Sequence, residues 1–190
     1  MTLYFASSND HKKEEMMRLL DGVTVRLPKE DGIAFDPDEN GKSFIENALI
    51  KASALYEKVK APVLADDSGL VVDALHGEPG VRSARYAGEG GNDGRNLRKL
   101  LDKMAGVADR RAHFVCVVAV ATPDGHVRTA TGTVSGTLAE APRGEGGFGY
   151  DPAFIPDGHD RTFGELPAAV KDAMSHRARA LESAIANGIL

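Results

Sequence analysis

Two adjacent carboxylates, Asp66 and Asp67, are the residues of this chain best suited to chemistry. They follow an apolar run, Val63-Leu64-Ala65, that reads as a short buried strand. Ser68-Gly69 after them is turn chemistry, and Leu70-Val71-Val72 reads as a second strand. Desolvating unpaired carboxylates carries a large penalty or shifts their pKa. A divalent cation is the usual compensation, and hard oxygen ligands suit Mg2+. The competing reading is a solvated Asp-Ser-Gly turn.

Three further stretches carry reactive or ligand-binding types. Residues 2–6 read as a strand, Ser7-Ser8-Asn9-Asp10 as a polar turn, and residues 11–20 as a helix. A helix start presents free N–H groups and a positive dipole end, which suits phosphate. Lys12 and Lys13 are misplaced against that dipole, unless an anion sits nearby; ordinary capping with solvated lysines is the plainer reading. No Walker sequence is present. Ser43 opens a second helix with Glu46 as capping-box partner. Glu46 is either that cap or a metal ligand facing Asp66 and Asp67. Lys51 and Lys58 fall on a solvated face unless the helix borders a pocket.

The third stretch is Gly147-Phe148-Gly149-Tyr150-Asp151, within residues 143–152, which carry four glycines. Such a backbone visits positive φ or approaches something closely. Its aromatics suit stacking on a planar ligand, or packing into the core. Downstream, Ser175 caps a last helix whose exposed start carries His176 and Arg177, with Lys171 close by. A trio of cations there suggests an acceptor-rich ligand.

These stretches must be positioned by a fold, and the chain of 190 residues is long enough for one domain with a real core. Residues 112–138 read as a β-hairpin around Pro123-Asp124-Gly125. Strands and helices otherwise mix without strict alternation. The expectation is an α/β fold with a mixed parallel and antiparallel sheet and two lobes around a cleft. Net charge is −5, which argues against a bulk nucleic-acid binder. The first residues are too short and uncharged for a signal peptide, and no apolar run approaches membrane length. The single cysteine, Cys116, reads as a buried filler, fitting a reducing cytosol.

Taken together, Ala6 through Lys12, Ser43-Phe44-Ile45-Glu46-Asn47-Ala48, Leu64 through Leu70, Pro79 through Tyr86, and Gly147 through Pro152 with Lys171 and Ser175-His176-Arg177 resemble the inosine/xanthosine triphosphate pyrophosphatase family. The resemblance runs nearly end to end. It implies an elongated α/β fold of one domain, Mg2+ dependence, a cytoplasmic homodimer, and hydrolysis between the α- and β-phosphates. It implies that Ser7, Ser8, Asn9, Asp10, His11 and Lys12 hold the triphosphate, and that Glu46 and Asp67 hold Mg2+. Asp67 would also be the general base, with Ser68 on the nucleotide. Phe148, Gly149, Tyr150 and Asp151 would enclose the base, and Lys171, His176 and Arg177 would read its edge. Lys58 matches a phosphate-side lysine of the family. The first motif departs from the family at Ser8, where Gly is usual, and at His11, where a small residue is usual. The alternatives are a pyrophosphatase for modified pyrimidine nucleotides and a non-catalytic nucleotide-binding module.

Overall fold

The computed structural model describes residues 2–190. In chain order the elements are β1 (Thr2–Phe5), α1 (Asp10–Leu19), β2 (Thr24–Arg26), α2 (Phe44–Val59), β3 (Val63–Val72), α3 (Asp93–Lys103), β4 (Arg111–Ala121), β5 (Val127–Leu138), β6 (Phe154–Pro156), α4 (Ala168–Asp172) and α5 (His176–Ala186). The six strands form one sheet in the order β2-β1-β3-β4-β5-β6. β1 pairs in parallel with both β2 and β3, and β5 with β6 antiparallel. Backbone bonds from Thr122 to His126 at one end and from Leu138 to Arg110 at the other close β4 and β5 into the expected hairpin. The fold is therefore α/β with a mixed sheet, as the sequence predicts.

The described residues form two compact units: residues 2–67, 116–132 and 177–190, and residues 68–115 and 133–176. The first has its own core, built from Leu3, Phe5, Met16, Leu27, Leu64, Val118 and Leu181. In it β1 lies between β2 and β3. The crossovers to β2 and to β3 run in opposite directions along the sheet. Because such connections are right-handed, α1 and α2 belong on opposite faces. The strand order reverses at β1, and in open parallel sheets ligands usually bind beyond the strands' carboxyl ends at such a switch point.

The second unit has a separate core of Leu70, Leu100, Phe114, Leu138, Phe154 and Phe163. Phe114 and Phe154 meet at 4.6 Å between ring centroids and 58° between planes, a favoured aromatic geometry. α3 begins at Asn92, whose Oδ1 accepts from the Arg95 amide at 2.9 Å. α4 is a short helix, Ala168–Asp172, with Pro167 as its cap, since Pro167 cannot sit within a helix.

The largest departure from the sequence reading is β3. Two strands with an intervening turn are expected, but ten residues run unbroken through Asp66-Asp67-Ser68-Gly69. The turn signal at these polar residues is overridden because the carboxylates meet cations inside the fold, so nothing forces the chain out to solvent.

Candidate active site

Successive side chains on a strand point to opposite faces, so Asp66 and Asp67 meet different partners. Asp66 is fully buried. Its Oδ1 accepts from Lys12 Nζ at 3.0 Å and its Oδ2 from Arg177 Nη2 at 3.0 Å. Arg177, in turn, pairs through Nη1 with the buried Glu15 of α1. Burial alone would raise the pKa of Asp66, but the attractions of Lys12, Arg177 and Lys51 outweigh it and hold the carboxyl far below its ordinary range. Asp66 is thus a permanent anion.

Asp67 is the opposite case. Its Oδ1 lies 3.4 Å from Lys51 Nζ on α2, and its Oδ2 is buried without a hydrogen-bond partner. Burial raises its pKa, helped by the negative charges of Asp66 and Glu39, and Lys51 and Lys12 only partly offset this. Lys51 also binds Glu39 at 2.9 Å. Burial would lower the lysine pKa, but Asp67, Asp66 and Glu39 together raise it, so it stays charged. Adjacent carboxylates whose surroundings push their affinities for protons apart are the arrangement found where one acid anchors and the other takes a proton.

The phosphate-loop residues sit at the start of α1. Asn9 caps the helix by accepting from the Lys12 amide at 3.2 Å, and Ser7 Oγ accepts from the Asn9 amide at 3.0 Å. Ser8, Asp10 and His11 are exposed. The two lysines that oppose the helix dipole are accounted for within the protein: Lys12 by Asp66, and Lys13 by Glu30 at 2.6 Å. Glu46 is exposed at the first turn of α2. Its backbone N–H donates to Ser43 Oγ at 3.2 Å, and its Oε2 accepts from the Lys42 amide at 2.6 Å. The capping reading of Glu46 is therefore realised, with the reciprocal bond reaching Lys42 rather than the cap residue itself. Lys58 is exposed and donates to the Ala34 carbonyl at 2.9 Å.

Lys51 does not lie on a solvated face: it is 7% exposed. Ala48, Lys51, Ala52 and Leu55 occupy one helical stripe, spaced i, i+3, i+4 and i+7. A lysine inside an apolar stripe is the signal that could have placed it indoors. Glu15 and Glu39 carried no such signal; each is recognisable only once its cation is known.

The second unit holds the remaining candidates. Asp151 Oδ2 accepts from the Phe148 amide at 2.9 Å and from Lys171 Nζ at 2.7 Å, with Lys171 and Asp151 both buried. Lys171 Nζ also stands 4.8 Å from the Phe148 ring centroid, within cation–π range. Gly147, at φ +68°, is obligatory, since a Cβ there would fall 2.1 Å from Asp151 Oδ2. Tyr150 is buried and donates its hydroxyl to the Ser83 carbonyl at 2.7 Å. Burial foremost, with Tyr86 and Asp93 nearby, keeps that phenol protonated. The Gly149 amide donates to Asp93 Oδ2 at 2.9 Å. Ser68 is half-buried.

His176 and Arg177 correct the expectation of an exposed helix start, being 5% and 1% exposed. The His176 ring stacks on Phe114, 4.7 Å between centroids and 13° between planes. Arg177 is turned to Asp66 and Glu15. Cys116 is buried as foreseen, and burial together with Asp66 pushes its thiol up to about 12.

Residues 3–187 match the sequence model of the Ham1 family. The chain is 48% identical to a dITP/XTP pyrophosphatase of Treponema denticola, covering 96% of both chains. It is 47% identical to one of Streptomyces coelicolor, covering 96% of this chain and 94% of the relative. Among solved structures, the Ham1 protein of Staphylococcus aureus superposes with a TM-score of 0.86 at 42% identity, over 99% of each chain. A dITP/XTP pyrophosphatase of Mycobacterium abscessus superposes at 0.77 and 42% identity, over 96% of this chain and 97% of that one.

Proposed function

Because the chain belongs to the Ham1 family, we infer that it hydrolyses non-standard purine nucleoside triphosphates (ITP, dITP and XTP) to the monophosphate and pyrophosphate, clearing deaminated purines from the nucleotide pool. Its relatives named dITP/XTP pyrophosphatase support the substrate class. The observation that carries the chemistry is the divided acid pair, with Asp66 locked as an anion and Asp67 left with a raised pKa and one buried oxygen without a hydrogen-bond partner.

Phosphoryl hydrolysis needs charge neutralisation and an aligned water more than covalent chemistry. Lys12, Asn9 and the free amides at the start of α1 would take the triphosphate. Asp66 holds Lys12 from behind and keeps its Nζ near the helix start. Asp67 would accept the proton of the attacking water. A raised pKa brings it closer to working pH and makes it a better base than an ordinary carboxylate. Lys51, bound to Oδ1, fixes its orientation and leaves Oδ2 for the reaction.

Mg2+ fits this chemistry. Among the described residues, no group of three or more His, Cys, Asp or Glu is assembled to hold a metal. Mg2+ is commonly held by one or two carboxylates, with water and phosphate completing the shell. Asp67 offers a buried oxygen without a hydrogen-bond partner, and Glu46 would supply the second carboxylate once it releases the Lys42 amide. Bound there, the ion supplies charge neutralisation on the phosphate oxygens.

Phe148, Gly149, Tyr150 and Asp151 would enclose the base, with Phe148 stacking on it. Hypoxanthine and xanthine carry a keto acceptor where adenine carries an amino donor. A site whose donors, among them Lys171 and His176, face the ketone would favour these bases over adenine, which presents a donor there instead of an acceptor. We further take the protein as a single catalytic domain that acts as a cytoplasmic homodimer without nucleic-acid or membrane partners. Its net charge of −5 supports the absence of nucleic acid, and no helix among the described residues is long and apolar enough to cross a membrane.

The test is pyrophosphate release from ITP, XTP, dITP, ATP, GTP and dUTP, each with Mg2+ and with EDTA. Release confined to the inosine and xanthosine nucleotides, and abolished by EDTA, is expected. Release from dUTP alone would move the function to pyrimidine nucleotides. No release from any would reduce the protein to a binding module.

A further inference from the structure

The segment 147–151 is held in place from several sides before any ligand arrives. Asp151 gathers the Phe148 amide and Lys171 on one carboxylate oxygen. Tyr150 is anchored through its hydroxyl to Ser83. Between them Gly149, at φ +61°, is turned so that its amide points outward to Asp93 Oδ2 at 2.9 Å. Phe148 and Tyr150 therefore flank a glycine whose own fixing point comes from α3, 56 residues away in sequence.

Asp93 has an ordinary reading as the acid favoured in the first turn of a helix. Two facts weaken it. The cap of α3 is supplied by Asn92, whose Oδ1 takes the Arg95 amide, so α3 is started without Asp93. And the carboxylate of Asp93 is spent on a backbone N–H outside its own helix, in a loop where a left-handed glycine gives no stiffness of its own.

We propose that Asp93 is a positioning residue for nucleobase binding: by holding the Gly149 amide it fixes the Phe148 ring in its stacking position. This rests on the reading that Phe148 stacks on the purine. A ring already in place costs no ordering on binding, and loss of the anchor charges that ordering to the ligand. The effect belongs to substrate binding and not to the hydrolytic step.

The variants Asp93→Ala and Asp93→Asn decide it, with Phe148→Ala as control. Asn retains an oxygen able to accept from the Gly149 amide, whereas Ala does not. The expected result for Asp93→Ala is a rise in the KM for ITP of about three- to ten-fold, the size of one hydrogen bond of this kind, with kcat unchanged. Amide exchange over residues 147–150 should speed up in the same variant, and Asp93→Asn should return both readouts close to wild type. Unchanged exchange and unchanged KM in Asp93→Ala would overturn the proposal, as would faster exchange with KM unmoved while Phe148→Ala raises it. If Phe148→Ala itself leaves KM unmoved, the stacking reading fails and the proposal falls with it. Exchange in Asp93→Ala would then show separately whether the Asp93–Gly149 contact exists.

Discussion

Lys51 Nζ stands 3.4 Å from Asp67 Oδ1, while Asp67 Oδ2, buried beside it, meets no hydrogen-bond partner. One oxygen of the proposed base is fixed and the other is unpartnered, which leaves it a lone pair for a proton. Asp67→Asn keeps the shape and removes the basicity. Turnover of ITP should fall at least about a thousandfold, which corresponds to roughly 4 kcal/mol of transition-state stabilisation. The melting temperature should hold or rise, because a raised carboxyl pKa means that ionising Asp67 opposes folding at neutral pH. Wild-type turnover in this variant would remove Asp67 from the base role.

Lys51 compensates two carboxylates, Asp67 and Glu39. Replacing it with Met preserves bulk but leaves buried negative charge without its partner. Breaking a buried pair from one side costs about 3–5 kcal/mol. Lys51→Met should therefore lower stability by about that amount in urea titration. Adding Asp67→Asn should recover part of the loss, since the stranded charge is then gone. Additive losses in the double variant would mean that the two side chains do not act as a pair.

Much of this arrangement was legible in the sequence, and the exceptions share a cause. The hairpin, α1 and α2 follow from periodicity, Pro-Asp-Gly and the capping residues Asn9 and Ser43, all local signals. The acid pair stood out because adjacent carboxylates after an apolar run are unusual. The continuity of β3 did not, because it depends on cations brought in from elsewhere. Arg177 lies 111 residues from Asp66, and Lys12 lies 54. Glu15 looks like any solvated helix acid until Arg177 arrives beside it. The burial of a charge is decided by partners distant along the chain, so neither spacing nor composition reveals it.

Glu46 separates a capping contact from a metal contact. Gln at this position retains an oxygen that can accept from the Lys42 amide, but it carries no charge. Glu46→Gln should leave the melting temperature unchanged and raise the Mg2+ concentration for half-maximal activity about tenfold or more. Glu46→Ala should do the same and also lose about 1 kcal/mol of stability with the cap. An unaltered Mg2+ requirement in both would confine Glu46 to capping.

Cys116 gives a pH signature. Its thiol is pushed up to about 12 from an ordinary value of 9.0, chiefly by burial and then by the charge of Asp66. Between about pH 9 and 12 the unfolded chain therefore loses this proton while the folded chain keeps it. The folded state binds more protons, so stability falls as pH rises through that window. Cys116→Ser removes the titration, and its stability should decline less steeply than wild type over the same range. The native thiol should also resist iodoacetamide at pH 8, reacting only as fast as the protein opens. Rapid labelling of the folded protein would contradict the buried assignment.

Arg177 poses the sharpest test, because two roles predict different outcomes. As a reader of the purine edge it would affect KM and leave the fold alone. As found, its guanidinium lies between Asp66 and Glu15 and is almost wholly buried. Burial works against its charge, but the two carboxylates outweigh it and raise its pKa. Arg177→Met takes the buried guanidinium from between two carboxylates and should lower stability by about 3–5 kcal/mol. Glu15→Gln should cost less, about 1–3 kcal/mol, since Asp66 still pairs the arginine. Arg177→Lys should not restore the loss, because one ammonium cannot span two carboxylates as a planar fork does. Urea unfolding and ITP kinetics on the same three variants give the answer together. A raised KM with unchanged unfolding in Arg177→Met would return the residue to base recognition. Loss of stability with an unchanged KM would establish Arg177 as the inner support of Asp66, the carboxylate that also holds Lys12.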